Sequence, residues 1–166
     1  MRYSIGDLVV YAPVGVCRIQ GYEDKCLDGR THREYVELVP ETGTKTVCYL
    51  PEDMAAEKLR PLRSAEEVSR IIEQIPEIEP CEAAPRNDRR SMFSDILKSD
   101  DAVRMISLIK LLLSHRDERE RAGKHLAAGE ETALKTALAT VSREFAIVLG
   151  ISETEAEQKI CDRLSA

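Results

Sequence analysis

The residue types that most often catalyse reactions or hold metal ions are present in this chain, but their spacing fits neither task. The five cysteines and three histidines are Cys17, Cys26, Cys48, Cys81 and Cys161, with His32, His115 and His125. They form no C-x-x-C pair, no H-E-x-x-H motif and no short Cys/His spacing, whereas a zinc site needs close pairs of ligands. The sequence therefore predicts no metal site, and it predicts reduced cysteines that are mostly buried.

Other catalytic arrangements are also missing. The sequence contains no G-x-S-x-G, G-x-x-x-x-G-K-[ST] or G-x-G-x-x-G motif. The neighbouring acids Asp100 and Asp101, like Glu130 and Glu131, lie at predicted helix starts, where the helix dipole favours negative charge. The charged run at residues 117–121 is typical of a solvated surface. We therefore predict a binding protein rather than an enzyme, with no cofactor and no small-molecule substrate. A small hydrolase is left as a formal alternative.

The charge is unevenly distributed along the chain. Its net value of −6 argues against a protein that simply coats nucleic acid. Residues 86–124 nevertheless carry ten Lys and Arg against seven Asp and Glu. Any contact with nucleic acid is therefore expected on one face of that stretch.

Two further features predict where the chain works. No window approaches the roughly 18 consecutive apolar residues of a membrane span. The opening residues also lack the apolar core of a signal peptide. We expect a cytoplasmic protein with no membrane partner.

The elements that would position a binding site differ between the two halves. Short β-rich runs with Gly and Pro between them occupy residues 8–11, 15–20, 35–40 and 46–51, with turns predicted at 28–30 and 41–44. Such a pattern predicts a small open barrel or a meander.

From Ser64 onward the apolar residues follow a helical period. The capping boxes at residues 64–67 and 152–155 each begin a helix. Further helices are predicted around residues 92–97, 101–114 and 130–149, the last ending at Gly150. The fold class predicted is α+β, with a β-barrel module at 1–63, a helix and Pro-rich linker at 64–85, and a helical domain at 86–166.

The N-terminal motif resembles a known family. Ile-Gly-Asp-Leu-Val-Val-Tyr at residues 5–11, followed by Gly15, Val16 and Ile19, is similar to the start of the CarD-like bacterial transcription regulators. The polymerase-interaction domain of the transcription-repair coupling factor begins in the same way. The resemblance continues through Glu-Tyr-Val-Glu-Leu at residues 34–38 and Leu-Pro at 50–51. It extends into the helical half through residues 87–90, 97–113 and 116–119.

This resemblance implies a function. In CarD-like proteins a Tudor- or SH3-like barrel docks on the β subunit of RNA polymerase, and the helical domain touches promoter DNA beside the opening bubble. By this resemblance the polymerase contacts would be Lys25, Arg30, Val47 and Tyr49. The DNA contacts would be Asn87, Arg89, Arg90, Arg116, Arg119 and Lys124. Contacts of this kind reach phosphates, so they position a protein without reading sequence.

The chain departs from the family at two places. Well-known members carry a Trp that wedges against the minor groove, but this chain has no Trp, and Asn87 or its neighbour takes that place. An apolar wedge helps to pry base steps apart, and Asn cannot do so. A basic position of some members is Tyr49 here, whereas Lys25 matches another. Two alternatives therefore stay open: the basic residues form an ordinary solubilising surface, or the chain is an adaptor on polymerase without DNA contact.

Overall fold

The computed structural model describes residues 2–12, 14–42 and 45–166. The chain forms two compact units, Met1–Leu62 and Arg63–Ala166. The first contains an antiparallel sheet and one short helix, and the second is helical. The predicted α+β class is confirmed.

Five strands and one helix make up the first unit. They are β1 (Leu8–Tyr11), β2 (Gly15–Lys25), β3 (Arg33–Pro40), β4 (Cys48–Pro51), α1 (Glu52–Lys58) and β5 (Leu59–Pro61). The strand order is β4-β3-β2-β1-β5, and every neighbouring pair is antiparallel. Apolar side chains of the strands pack with Ala55 of α1 to form the core of this unit. In the described residues β4 and β5 are the two edges and do not pair, so the sheet is not closed.

The strand β2 is longer than predicted. Gly21 was expected to end it, because glycine interrupts strands. Instead the register against β3 shifts between Ile19 and Gly21, and pairing resumes as far as Lys25 opposite Arg33. Such a β-bulge bends a strand without ending it. Neither α1 nor β5 was predicted.

The hairpin turn between β2 and β3 forms as predicted. Asp28 Oδ1 accepts hydrogen bonds from the backbone amides of Arg30 at 2.9 Å and Thr31 at 2.8 Å. Gly29 takes a φ of +75°, which residues with a side chain rarely adopt. The other predicted turn includes Gly43 and Thr44, which lie outside the described residues.

All five cysteines are free thiols, but they are less buried than predicted. Only Cys17 is buried, and this burial raises the pKa of its thiol to about 12. The other four are partly exposed. The expectation that most cysteines would be buried was therefore wrong: even Cys48 and Cys81, which pack against the two cores, are only partly buried.

The second unit is built from five α-helices. They are α2 (Ala65–Gln74), α3 (Arg89–Lys98), α4 (Ala102–Arg121), α5 (Ala128–Leu149) and α6 (Glu153–Leu164), with a 3₁₀ turn at Ile75–Glu77. Both predicted N-caps are confirmed, since Ser64 and Ser152 Oγ each accept a backbone amide at 3.1 Å. Gly150 ends α5 with a φ of +67°. None of the helices in the described residues is long and apolar enough to cross a membrane.

The segment between α2 and α3 lies along α4. Ile75 is fully buried in the core of the helical unit. Ser107 Oγ donates to the Glu79 carbonyl and Lys110 Nζ donates to the Ile78 carbonyl, both at 2.6 Å. The first part of the predicted linker is thus held within this unit. The division at 1–63, 64–85 and 86–166 stays a prediction.

Candidate functional site

Two of the residues predicted to contact polymerase meet on the sheet. Tyr49 lies on the edge strand β4 and is 39% exposed. Lys25, at the end of β2, places its Nζ 3.9 Å from the centre of the Tyr49 ring. This is a cation–π contact that spans β3. The contact with Tyr49, together with the neighbouring Glu23, raises the pKa of the Lys25 ammonium group. The structure therefore brings Lys25 and Tyr49 together as one surface feature.

Arg30 and Val47 do not join this pair. Arg30 is exposed in the hairpin turn after β2, and Val47 is half-buried just before β4. No hydrogen bond or ion pair found within the described residues links Arg30 to Lys25 or Tyr49. The role of Arg30 and Val47 in polymerase binding stays a prediction.

Sequence reasoning missed two carboxylates beside Tyr49. Glu37 is the cross-strand partner of Tyr49, and Glu23 forms an ion pair with Lys25 at 3.4 Å. The pKa of Glu37 is raised, chiefly because its carboxyl group hydrogen-bonds to Glu23, and the same bond lowers the pKa of Glu23. The alternation of Glu23 and Lys25 along one strand was a signal that these side chains share a face.

The first group of predicted DNA contacts lies where α3 begins. Asn87 is exposed in the turn before the helix, and Arg90 is exposed in its first turn. Arg89 is half-buried, and its Nε donates to the Ala84 carbonyl at 3.3 Å. Asn87 and Arg90 are thus open to a partner, whereas Arg89 is partly engaged.

A second group lies at the end of α4. Arg116 is exposed on the helix, and Lys124 is exposed in the turn that follows. The Lys124 amide donates to the Arg119 carbonyl at 2.7 Å. In the part of the chain that the structure describes, no hydrogen bond or ion pair joins Arg116 or Lys124 to the α3 group. That the two groups share one face stays a prediction.

Arg119 is placed differently from the other predicted DNA contacts. Its Nη1 lies 2.6 Å from Glu130 Oε1, and His115 Nδ1 lies 3.0 Å from Glu130 Oε2. Glu130 lies in the first turn of α5, as predicted, but its side chain is only 4% exposed. One nitrogen of the Arg119 guanidinium group therefore pairs with a buried carboxylate, a role that the position of Glu130 at a helix start did not indicate.

The Glu130 cluster has a measurable pH dependence. Burial raises the pKa of Glu130, but the hydrogen bond with His115 and the ion pair with Arg119 outweigh it, and the pKa lies below its usual value. A carboxylate with a lowered pKa stabilises the fold above its unfolded pKa, and this contribution is lost as the pH falls through the folded pKa. We expect Glu130→Gln to lower the free energy of unfolding by about 1.5–3 kcal/mol at neutral pH. In urea denaturation the difference in free energy of unfolding between the wild type and Glu130→Gln should become smaller below about pH 4.5. A gap that stays constant with pH would contradict this assignment.

A second buried ion pair holds the start of the helical unit. Arg63 Nη1 lies 2.9 and 3.0 Å from the two carboxylate oxygens of Glu144, and Arg63 Nη2 donates to the Asp100 carbonyl at 2.9 Å. The Glu144 side chain is 5% exposed. Next to it, Asp101 caps α4 by accepting the Val103 amide at 3.0 Å, as expected for an acid at a helix start.

Both buried acids are held in ion pairs within the helical unit. Glu144 faces Arg63, and Glu130 faces Arg119. In the described residues no group of three or more His, Cys, Asp or Glu side chains is placed to hold a metal ion. The burial of Glu130 and Glu144 could have been predicted from the sequence, because each residue lies on or beside the apolar stripe of α5.

Comparison with known families covers both units. Residues 3–63 match the CarD-like/TRCF RID domain, and residues 70–161 match the CarD C-terminal domain. No curated protein is similar enough to count as a match. The two family matches lie in the same order as the sheet and the helices. The chain therefore belongs to the CarD-like family of transcription regulators, which interact with RNA polymerase.

Proposed function

We propose that this chain binds the β subunit of RNA polymerase through the β4 edge and contacts promoter DNA non-specifically through its helical unit. The observation that carries the proposal is the exposed Tyr49, braced by Lys25, on an edge strand of the RID domain. The chain would act in the cytoplasm as a regulator without catalytic activity.

The β4 edge is suited to accept a strand from a partner. An edge strand presents unpaired backbone groups, and main-chain hydrogen bonds to them provide affinity while side chains select the partner. Both edge strands are short and end in a proline, β4 at Pro51 and β5 at Pro61. We assign strand addition to β4 because it carries the exposed Tyr49, with Lys25 against the Tyr49 ring.

The sheet itself is proposed to be a Tudor-like barrel. β5 returns to pair with β1 after β4 has formed the opposite edge. The eleven-residue strand β2 carries a bulge, which is the usual device for bending one strand through two parts of a barrel or sandwich. Both features support this interpretation.

The proposed DNA contact rests on exposed cations. Arg90, Arg116 and Lys124 are exposed, and Arg89 has part of its guanidinium group engaged. Arg119 supports the proposal less than these residues do, because its Nη1 pairs with Glu130. Asn87 is exposed but polar, so contact would be with phosphates rather than by a wedge between base steps.

Removing the Tyr49 ring tests the polymerase contact. We expect Tyr49→Ala to weaken binding to the isolated β subunit at least about tenfold, because buried aromatic anchors carry most of an interface's energy. Ile5→Ala is the matched control, since Ile5 is an exposed apolar residue of the same unit outside the strands. Surface-immobilised β subunit and a concentration series of each variant would measure the affinities. Equal affinities for wild type and Tyr49→Ala would refute the β4 assignment.

A polymerase adaptor without DNA contact is the second candidate. The net charge of −6 favours it, as does the pairing of Arg119 with Glu130, which removes one cation from the basic stretch. Salt dependence separates the two functions, because only phosphate contacts release counterions.

A further inference from the structure

Glu130 joins the ends of two helices at the turn that carries Lys124. It lies in the first turn of α5, and both of its partners, His115 and Arg119, lie in the last two turns of α4. His115 and Arg119 are four residues apart, so their side chains share a face of the helix. The contact therefore spans the turn at residues 122–127.

Arg119 connects the carboxylate to the backbone of that turn. Its side chain is held by Glu130 at 2.6 Å, and its carbonyl accepts the amides of Ala122 at 3.0 Å and Lys124 at 2.7 Å. Gly123 between them takes a φ of +74°, and Leu126 is buried in the helical core. The backbone at Lys124 is thus fixed from both sides, while its ammonium group stays exposed.

We infer that Glu130 is a positioning residue, which acts through Arg119 to hold the turn that presents Lys124 to DNA. Only the part of this inference that concerns DNA rests on the proposed function. Glu130 does not touch the ligand. It determines where the one exposed cation of the turn lies, and it keeps Arg119 from competing for the same phosphate.

Hydrogen exchange tests the positioning directly. In Glu130→Gln we expect amide exchange in the segment 119–126 to become at least about tenfold faster, measured well below the melting temperature. Glu131→Gln is the matched control, because Glu131 is exposed and makes only a 3.7 Å ion pair with Lys135. It should leave exchange unchanged. Unchanged exchange in Glu130→Gln, or equal acceleration in both variants, would overturn the inference. Should Glu130→Gln fail to fold, Arg119→Lys repeats the test from the α4 side.

A double-mutant cycle tests the link to DNA. On the wild-type background, Lys124→Ala should reduce the salt slope of the polymerase-held DNA contact by about 0.9, the value for one phosphate. On the Glu130→Gln background, Lys124→Ala should have little further effect, because the turn no longer holds the ammonium group in place. Equal effects on both backgrounds would overturn the positioning role. If the wild type shows no DNA contact at all, the proposed function fails, and hydrogen exchange alone decides the inference.

Discussion

Arg63→Ala is expected to lower the free energy of unfolding of the helical unit by about 1–3 kcal/mol. Its Nη1 donates to both carboxylate oxygens of Glu144, whose side chain is only 5% exposed. Removing Arg63 withdraws a compensating charge and a hydrogen-bond donor from a carboxylate in a medium of low polarity, and this costs more than losing a surface ion pair. Helical circular dichroism during urea denaturation would measure the change, since most helices lie in this unit.

Three control variants sharpen this prediction. Arg70→Ala removes an exposed arginine of α2 and should change stability by less than about 0.5 kcal/mol. Glu144→Gln should cost less than Arg63→Ala, because Arg63 keeps the Asp100 carbonyl and reaches water more easily. Replacing both partners with methionine should recover much of the loss, because well-packed apolar side chains replace buried ion pairs at little cost. An Arg63→Ala effect no larger than that of Arg70→Ala would show that the pair contributes nothing.

The helices were predictable because their signals are local. A hydroxyl at Ser64 or Ser152 followed by Glu three residues later is a complete N-cap within one turn. Gly150 likewise ends α5 through its own backbone conformation. The end of α4 was missed because the charged run after residue 114 resembles solvated surface. There His115 and Arg119 extend the helix towards Glu130, which is distant in sequence.

The sheet was harder to predict in detail because its register depends on partners distant in the chain. Gly21 was expected to end β2, but β3 supplies partners on both sides of the bulge. β5 has three residues and depends on β1 for its pairing, so no periodicity marks it. The family resemblance could name Lys25 and Tyr49, yet their contact across β3 follows only from that register.

The environment of the buried acids was also only partly predictable from the local sequence. An acid in the first turn of a helix has a local explanation, and the local explanation was correct for Asp101. For Glu130 the local explanation was incomplete, because the burial of its carboxylate depends on the α4 side chains that pack against it. The charges counted in residues 86–124 therefore include one cation, Arg119, that is paired with a buried carboxylate.

Charge reversal at the start of α3 should separate the two candidate functions. Arg89→Glu combined with Arg90→Glu is expected to leave polymerase binding unchanged and to reduce any effect on transcription sharply. Acidic residues suit a helix N-terminus, so the helix itself should tolerate the change. The matched control is Arg70→Glu with Lys159→Glu, which makes the same charge change at exposed positions of α2 and α6.

The salt dependence of the polymerase-held complex gives the sharper measurement. With Arg119 withheld, the exposed cations allow about two to four phosphate contacts, so the slope of log K against log salt should lie between roughly −2 and −4. Between 50 and 200 mM salt this corresponds to a loss of roughly 15- to 250-fold in affinity. The Arg89/Arg90 reversal should flatten the slope by about 2, whereas the Arg70/Lys159 reversal should leave it nearly unchanged.

Binding in free solution should be much weaker, because few contacts form and the net charge of −6 repels the duplex. Its dissociation constant should be no tighter than about 10⁻⁴ M, so the contact matters only when polymerase supplies a high effective concentration. If both reversals flatten the slope equally, net charge and not a defined surface governs DNA contact. If the held complex shows no salt dependence, the chain is an adaptor. The absence of Trp would then mark the loss of DNA contact rather than its weakening.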